Sequence, residues 1–210
     1  MTENITVNSQ SSIRIAAEKI VYFDPFKITD AKNDADVIFI THEHFDHFSP
    51  EDIAKVVSSE TVFVVPESMK KAALDSGIKA DKLVTMNPDE KTEVCGIPVE
   101  TIPAYNPGKK FHPRSNNWLG YIVTVGGQRI YVAGDTDATP EAKSVSCDIA
   151  MIPIGGTFTM DFREAAGFIK ELKPKTVIPT HYGSVVGDPS DGESFKKLVG
   201  DSSEVVFKLN

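Results

Sequence analysis

The chain has 210 residues, of which 40% are hydrophobic and 25% charged, the balance of an ordinary soluble globular protein. Its 22 basic and 30 acidic side chains leave a net charge of −8. That disfavours general binding to phosphate backbones or docking on anionic membranes, so neither a nucleic acid nor a membrane is expected as a partner. Cys95 and Cys147 sit in no CxxC pair and are too few for a disulfide framework. Both read as small buried hydrophobes, and a reducing cytoplasm is the expected location. The opening stretch Met1–Asn8 has neither a basic n-region nor an apolar run, so no secretory signal is expected. Apolar runs such as Val62–Val65 are strand-sized, far too short to span a bilayer.

In chain order, Ser12–Ala17 and Lys19–Phe23 read as a strand pair that bends into a loop at Asp24-Pro25-Phe26. Ala35–Thr41 is a compact apolar run of the kind found in a sheet buried on both faces. Ser49-Pro50-Glu51-Asp52 opens a helix, with a serine cap, a proline in the first turn and two carboxylates at the positive end. Thr61–Val65 is the next strand, and Glu67–Asp75 a helix stopped by Ser76-Gly77. Four strand-like segments follow closely: Lys82–Met86, Lys91–Val94, Ile97–Ala104 and Leu119–Val125. Gly126-Gly127 then signals a hairpin into Gln128–Ala133. Asp148–Ile154 is an apolar strand ending at Gly155-Gly156. A helical stripe runs over Asp161–Leu172, with Asp161 and Glu164 at capping-box spacing and Pro174 beyond it. Thr176–Thr180 reads as a strand, Asp191–Val199 as a helix and Glu204–Leu209 as a last strand. Strands and helices mix from end to end, which predicts one α/β domain over residues 1–210. The alternative is two halves joined near Asn106–Asn117, the longest stretch without a pattern.

The chemistry gathers at Thr41-His42-Glu43-His44-Phe45-Asp46-His47, where three imidazoles and the Asp46 carboxylate follow directly on a buried strand. Imidazoles suit zinc-like metals, and four ligands exceed what one catalytic ion takes while keeping a water site, so a metal pair is expected. The chain has 5 histidines, and the remaining two, His112 and His181, lie in polar loops beside predicted strands. Asp135 follows its strand as His181 follows Thr176–Thr180. Active sites in layered α/β folds collect at strand ends of this type.

The HxHxDH run at His42–His47, followed in order by His112, Asp135 and His181, resembles the signature of the metallo-β-lactamase superfamily. Phrases such as Asp24-Pro25-Phe26, Gly134-Asp135-Thr136-Asp137 and Pro179-Thr180-His181-Tyr182-Gly183 are most similar to its small cytoplasmic metal-dependent hydrolases, a group that includes ascorbate-6-phosphate lactonase. The resemblance covers nearly the whole chain. It implies a four-layer αββα sandwich with His42, His44 and His112 on a first metal and Asp46, His47 and His181 on a second. Asp135 would bridge the two. Two zinc ions per chain are implied, with manganese or iron as alternatives.

Two cations sharing a water lower its pKa from about 15.7 towards neutrality and give a hydroxide nucleophile, to which Asp46 offers a hydrogen-bond acceptor. The expected function is therefore metal-dependent hydrolysis of a small, anionic lactone, ester or phosphoester. The anionic character rests on Lys109, Lys110 and Arg114, which flank His112 in an otherwise acidic chain. Lys110, Arg114, Asn116, Tyr105 and Tyr182 are the candidates for substrate contact. Trp118, the sole tryptophan, reads as a core anchor or as a wall of the pocket. The rival readings are a nuclease or phosphodiesterase acting on nucleic acid, which would need a broad basic face, and a non-catalytic metal-binding relative. Dimers are common among soluble enzymes, which leaves a homo-oligomer open.

Overall fold

Alternation along the central strands divides their apolar side chains between two faces, and both faces are covered. The computed structural model describes residues 1–209 and builds two sheets. The first runs in the order β1 (Ile5–Val7), β2 (Ile13–Ala16), β3 (Ile20–Phe23), β4 (Ala35–Phe39), β5 (Val57–Pro66), β6 (Leu83–Met86). The hairpins β1–β2 and β2–β3 are antiparallel, and β3 to β6 are parallel. The second sheet holds β7 (Lys91–Val94), β8 (Ile97–Pro103), β9 (Leu119–Val125), β10 (Gln128–Val132), β11 (Ile149–Pro153), β12 (Thr176–Thr180) and β13 (Glu204–Val205). Its β7–β10 meander is antiparallel, and β10 to β13 are parallel.

Val37 and Phe39 of β4, Ile130 and Val132 of β10, and Ile149 and Met151 of β11 fill the space between the sheets. Their neighbours in sequence point the other way. Ile38 and Ile40 meet the helices α1 (Pro50–Val56) and α2 (Lys70–Asp75) on the outside of the first sheet. Tyr131, Ala150 and Ile152 meet α3 (Pro140–Lys143), α4 (Phe162–Leu172) and α5 (Asp191–Val199) outside the second. Three apolar interfaces between four layers make this the αββα sandwich of the metallo-β-lactamase fold.

Local chemistry sets the helix ends as expected. Asp161 accepts from the backbone N–H groups of Arg163 and Glu164 at 2.8 Å, and Glu164 reaches back to the Asp161 N–H at 3.0 Å. In α1, Asp52 does more than face the helix dipole. Its carboxylate accepts from the N–H groups of Lys27 and Ile28 at 2.9 and 3.0 Å, which pins the loop after Asp24.

Several sequence-based boundaries shift. The short strand β1 is an addition, paired with β2. β5 starts at Val57 rather than Thr61 because its pairing with β4 slips beside Ala35, where the Thr61 hydroxyl donates to the Ala35 carbonyl at 2.6 Å. β13 ends at Val205 instead of reaching Leu209. Val177 accepts from the Val206 N–H, so Pro179, two residues on, faces the same edge with no N–H to extend the ladder. Cys95 is exposed, not buried: with Gly96 it forms the β7–β8 turn, which demands positive φ (52° and 84°) and points outward. Cys147 is only partly buried. The Asn106–Asn117 stretch is no linker, since β8 and β9 on either side of it pair with each other. No helix of the described residues is long and apolar enough to cross a membrane.

The two sheets are tied directly beneath the His42 loop. Phe39 stacks on Phe23 at 4.9 Å and meets Tyr121 edge-on at 5.1 Å, and the Tyr121 hydroxyl donates to the Ile40 carbonyl at 2.8 Å. Burial holds that phenol well above its ordinary pKa. Tyr121→Phe leaves a buried carbonyl without a partner, so urea unfolding should show a loss of about 1–3 kcal/mol with an unchanged m-value. An unmoved midpoint would contradict this role.

Candidate metal centre

The sequence candidates come from four places and meet at one end of the sandwich. His42–His47 follow β4, Asp135 follows β10, and His181 follows β12, each at the carboxyl end of a parallel strand. His112 comes from the loop between β8 and β9. Asp24, His112 and His181 hold φ of 44°, 60° and 56°, a left-handed backbone that costs a non-glycine residue about 1–3 kcal/mol. The fold sustains these turns with specific bonds. The His181 N–H donates to the Gln10 carbonyl at 3.0 Å. Gly155 lets that turn pack closely, since a Cβ there would lie 2.1 Å from the His181 carbonyl oxygen. The His112 loop is held by Asn106, whose N–H donates to the His112 carbonyl and whose amide donates to Asp137 at 3.0 Å. Lys109 adds bonds to Asp137 at 2.6 Å and to the Thr159 carbonyl at 2.7 Å.

The ligand atoms converge on Asp135. One of its carboxylate oxygens lies 3.3 Å from Nε2 of both His112 and His181 and 4.0 Å from Nε2 of His42; the other lies 3.4 Å from Nε2 of His47. Asp46 Oδ2 stands 3.3 Å from His181 Nε2 and 3.7 Å from His47 Nε2, and His42 Nε2 is 3.1 Å from His44 Nδ1. Donors held tetrahedrally around zinc at 2.0–2.1 Å lie about 3.4 Å apart, so these separations suit ions seated between them. Three groupings bring their ligand atoms within 4.8 Å: His42, His44 and His112; His42, His47 and Asp135; and Asp46, His47 and His181.

The chemistry of the donors fits a metal as well. His47 Nε2, both ring nitrogens of His112 and of His181, and Asp135 Oδ1 are buried without a hydrogen-bond partner among the described residues. Such groups are costly unless something else satisfies them. A second rank of residues aims the rings. Asp24, fully buried, accepts from His47 Nδ1 at 2.7 Å, from the Thr41 hydroxyl at 2.7 Å and from the Thr41 N–H at 2.8 Å. The Thr41 oxygen in turn lies 3.0 Å from His42 Nδ1 and accepts from it. In these orientations Nε2 of both rings faces the centre, with a lone pair at His42 and, once its proton is released, at His47. Trp118 is buried, and its ring packs against His42 and His44 at 4.8 and 4.9 Å, so it is both a core anchor and a backing for the ligands.

Charge is unevenly distributed. Burial, with the neighbouring His47, holds His42 well below the usual histidine range, and burial with His112 lowers His44. Burial opposes a charge on His47 too, yet the carboxylates of Asp135 and Asp24 prevail and push it up to about 9. Asp135 stays ionised: burial works against its charge, but His181 and His47 hold its carboxyl well below the ordinary range. Asp46 is lowered in the same way, with burial overcome by the His181 ring 3.3 Å away.

The five proposed substrate contacts stand apart from this centre. Arg114 pairs with Glu141 at 2.6 Å and lies over the Tyr105 ring, whose hydroxyl also bonds Glu141 at 3.0 Å. Lys110 is exposed, Asn116 half-buried and Tyr182 buried against α4 and α5. None of the five lines the cavity of about 210 Å³ that opens over the ligands; His44, Asp46, His112, Asp135 and His181 form its floor. A groove of about 330 Å³ beside α1, lined by Ile53, Phe63 and Ile78, contains none of the candidate ligands. Asp24, Thr41, Gln10 and Asp137 were not singled out as site residues from the sequence. Asp24, Thr41 and Asp137 left traces there, in the Asp24-Pro25-Phe26 phrase, at the head of the His42 run and in Gly134-Asp135-Thr136-Asp137, and Gln10 left none.

A buried cluster of imidazoles and carboxylates at the strand ends of an αββα sandwich defines a metallohydrolase fold. A family profile described as the beta-lactamase superfamily domain matches residues 4–181. The chain belongs to that superfamily, in its metallo-β-lactamase fold. It is 36% identical over 207 residues to a metal-dependent hydrolase of Pyrococcus abyssi, covering 91% of this chain and 90% of that one. It is 32% identical over 210 residues to one of Thermococcus onnurineus, covering 94% and 92%. A crystal structure of a protein from Parabacteroides distasonis assigned as a metal-dependent hydrolase superposes with a TM-score of 0.80 at 31% identity, over 98% of this chain and 93% of that one.

Two outcomes test this geometry. Asp24→Asn removes the charged acceptor behind His47, and metal affinity should fall about 10–100-fold by competition with a chromogenic chelator; unchanged affinity would show that Asp24 does not aim the ring. With His47 raised to about 9, the metal-free protein carries a proton on that ring at pH 7.5. Loading a metal should then release it, seen in calorimetry as a buffer-dependent heat that fades as the pH passes about 9. A heat independent of buffer at pH 7.5 would contradict the assignment.

Proposed function

We propose that this metal-dependent hydrolase is a binuclear zinc enzyme that cleaves a small lactone, ester or phosphoester in the cytoplasm. The observation that carries the reading is the set of buried ring nitrogens, with the Asp135 carboxylate, that converge at metal-ligand separations and in large part have no other partner among the described residues. His42, His44 and His112 would hold one ion and Asp46, His47 and His181 the other, with Asp135 between them. When bound, such a pair supplies an acidified water and a Lewis acid for the substrate's carbonyl or phosphoryl oxygen.

The chain's own residues supply orientation and proton acceptance. Asp46 lines the cavity with its carboxyl held below the usual range, burial notwithstanding, so it accepts a hydrogen bond from the attacking water. Asp24 and Thr41 keep the imidazoles in the tautomers that face inward. Side-chain nucleophiles are not needed. Ser49 caps α1, Ser184 accepts from Lys27 at 2.8 Å, and burial pushes the Cys147 thiol up to about 12, leaving it protonated at neutral pH. A net charge of −8 and a cavity of about 210 Å³ favour a small molecule over nucleic acid. Both cysteines are free, which favours a reducing compartment.

A panel of lactones, carboxylic esters and phosphodiesters tests the reading. Hydrolysis of at least one class should disappear on chelation, return with zinc, and fall at least a hundredfold in Asp135→Ala. Hydrolysis that survives both chelation and the substitution would refute a metal mechanism.

A further inference from the structure

Above the polar floor, the cavity is lined by carbon. Phe45, Phe111, Phe158 and Val185 form a collar around its mouth. Phe45 is 67% exposed, Phe111 43% and Val185 42%, and among the described residues only Leu74 and Leu198 are comparably exposed large hydrophobics. Isolated apolar residues on a surface need no explanation, but three converging on one opening form a patch of the kind that marks a binding site. The collar is also braced. Phe111 meets Phe158 edge-on at 4.9 Å, and Phe45 meets Phe26 edge-on at 5.9 Å.

Three of the four nearby cations are engaged elsewhere, and the fourth, Lys110, is exposed beside Phe111 and outside the cavity lining. Lys109 is bound to Asp137, Arg114 to Glu141 and Lys27 to Ser184, and no lysine or arginine lines the cavity. The polar side chains that do line it are the ligand carboxylates Asp46 and Asp135 and the imidazoles of His44, His112 and His181. Among the described residues that line the cavity, no lysine or arginine would compensate a phosphate or carboxylate carried by the substrate away from the metals.

We infer that Phe45, Phe111, Phe158 and Val185 form an apolar subsite that takes a neutral aromatic or alkyl group of the substrate and sets the bond to be cleaved on the floor below. The inference rests on the hydrolase reading above and names its substrate class: an ester, lactone or phosphoester with an apolar arm, rather than the anionic one that Lys110 and Arg114 suggest in sequence. A cavity of about 210 Å³ is smaller than the usual pocket for a drug-sized ligand and suits a single ring or a short chain.

Hydroxamic acids grip a metal through a constant head while the tail varies, so they separate the two claims without needing turnover. Zinc-loaded protein is titrated calorimetrically with acetohydroxamic, hexanohydroxamic and benzohydroxamic acids. The apolar tails should bind at least tenfold more tightly than the methyl tail. Phe45→Ala and Phe111→Ala should each cut that ratio at least threefold, and the double variant should bring it near one, while Leu198→Ala leaves it unchanged. Equal affinity across the series overturns the subsite and leaves the metal centre standing. No binding of any of the three overturns the metal centre and the subsite with it. A flat series in a protein whose self-association or vesicle binding is lost in Phe111→Ala gives the collar to a second copy or a lipid surface and also overturns the inference.

Discussion

At the centre of this molecule a carboxylate, Asp135, is buried within 4.0 Å of ring nitrogens from four histidines, and most of those nitrogens have no other partner among the described residues. In a dry interior that arrangement is tolerable only if positive charge sits among the donors, whether as protons or as metal ions. The rest of the site follows from that constraint. Carboxylates hold His47 up to about 9, while burial and neighbouring rings press His42 and His44 down. Without metal, the cluster retains a proton where the carboxylates are densest and remains neutral where the rings crowd one another.

The sandwich delivers these groups because parallel strands from both sheets end on the same side. β4 brings the HxHxDH run, β10 brings Asp135 and β12 brings His181, and each strand is buried on both faces. Small ties then fix the angles. Tyr121 bonds across to the Ile40 carbonyl, and Asp24 and Thr41 orient the first rings. Gln10 holds the turn at His181, while Asp137 anchors the loop that carries His112. Left-handed backbone at Asp24, His112 and His181 shows that the ligand positions take precedence over local preference.

Much of this was legible in the chain. The buried run at Ala35–Thr41, the capping box of α4 and the helix Asp191–Val199 announce themselves through periodicity and end chemistry. The seven candidate ligands stand out because histidines are few and three lie together. What stayed hidden depends on distance in sequence. Asp24 acts on His47, and Gln10 on His181, through contacts no local pattern encodes. Lys109 and Arg114 looked available as loop charges, but Asp137 and Glu141, from the far side of the β9–β10 hairpin, engage them. Phe45, set between His44 and Asp46, was hidden by the motif around it: it lies in the turn closed by the His47 N–H on the His44 carbonyl and stands exposed at the rim. The misplaced Cys95 and the shortened β13 came from backbone effects, a turn that needs positive φ and a proline with no N–H to donate.

Elemental analysis of protein purified without chelators, run beside His112→Ala and Asp135→Ala, tests the central claim most directly. The account predicts about two equivalents of metal per chain, falling in both variants while their folded spectra persist. One equivalent or none, unmoved by either substitution, would contradict a binuclear centre built on these residues.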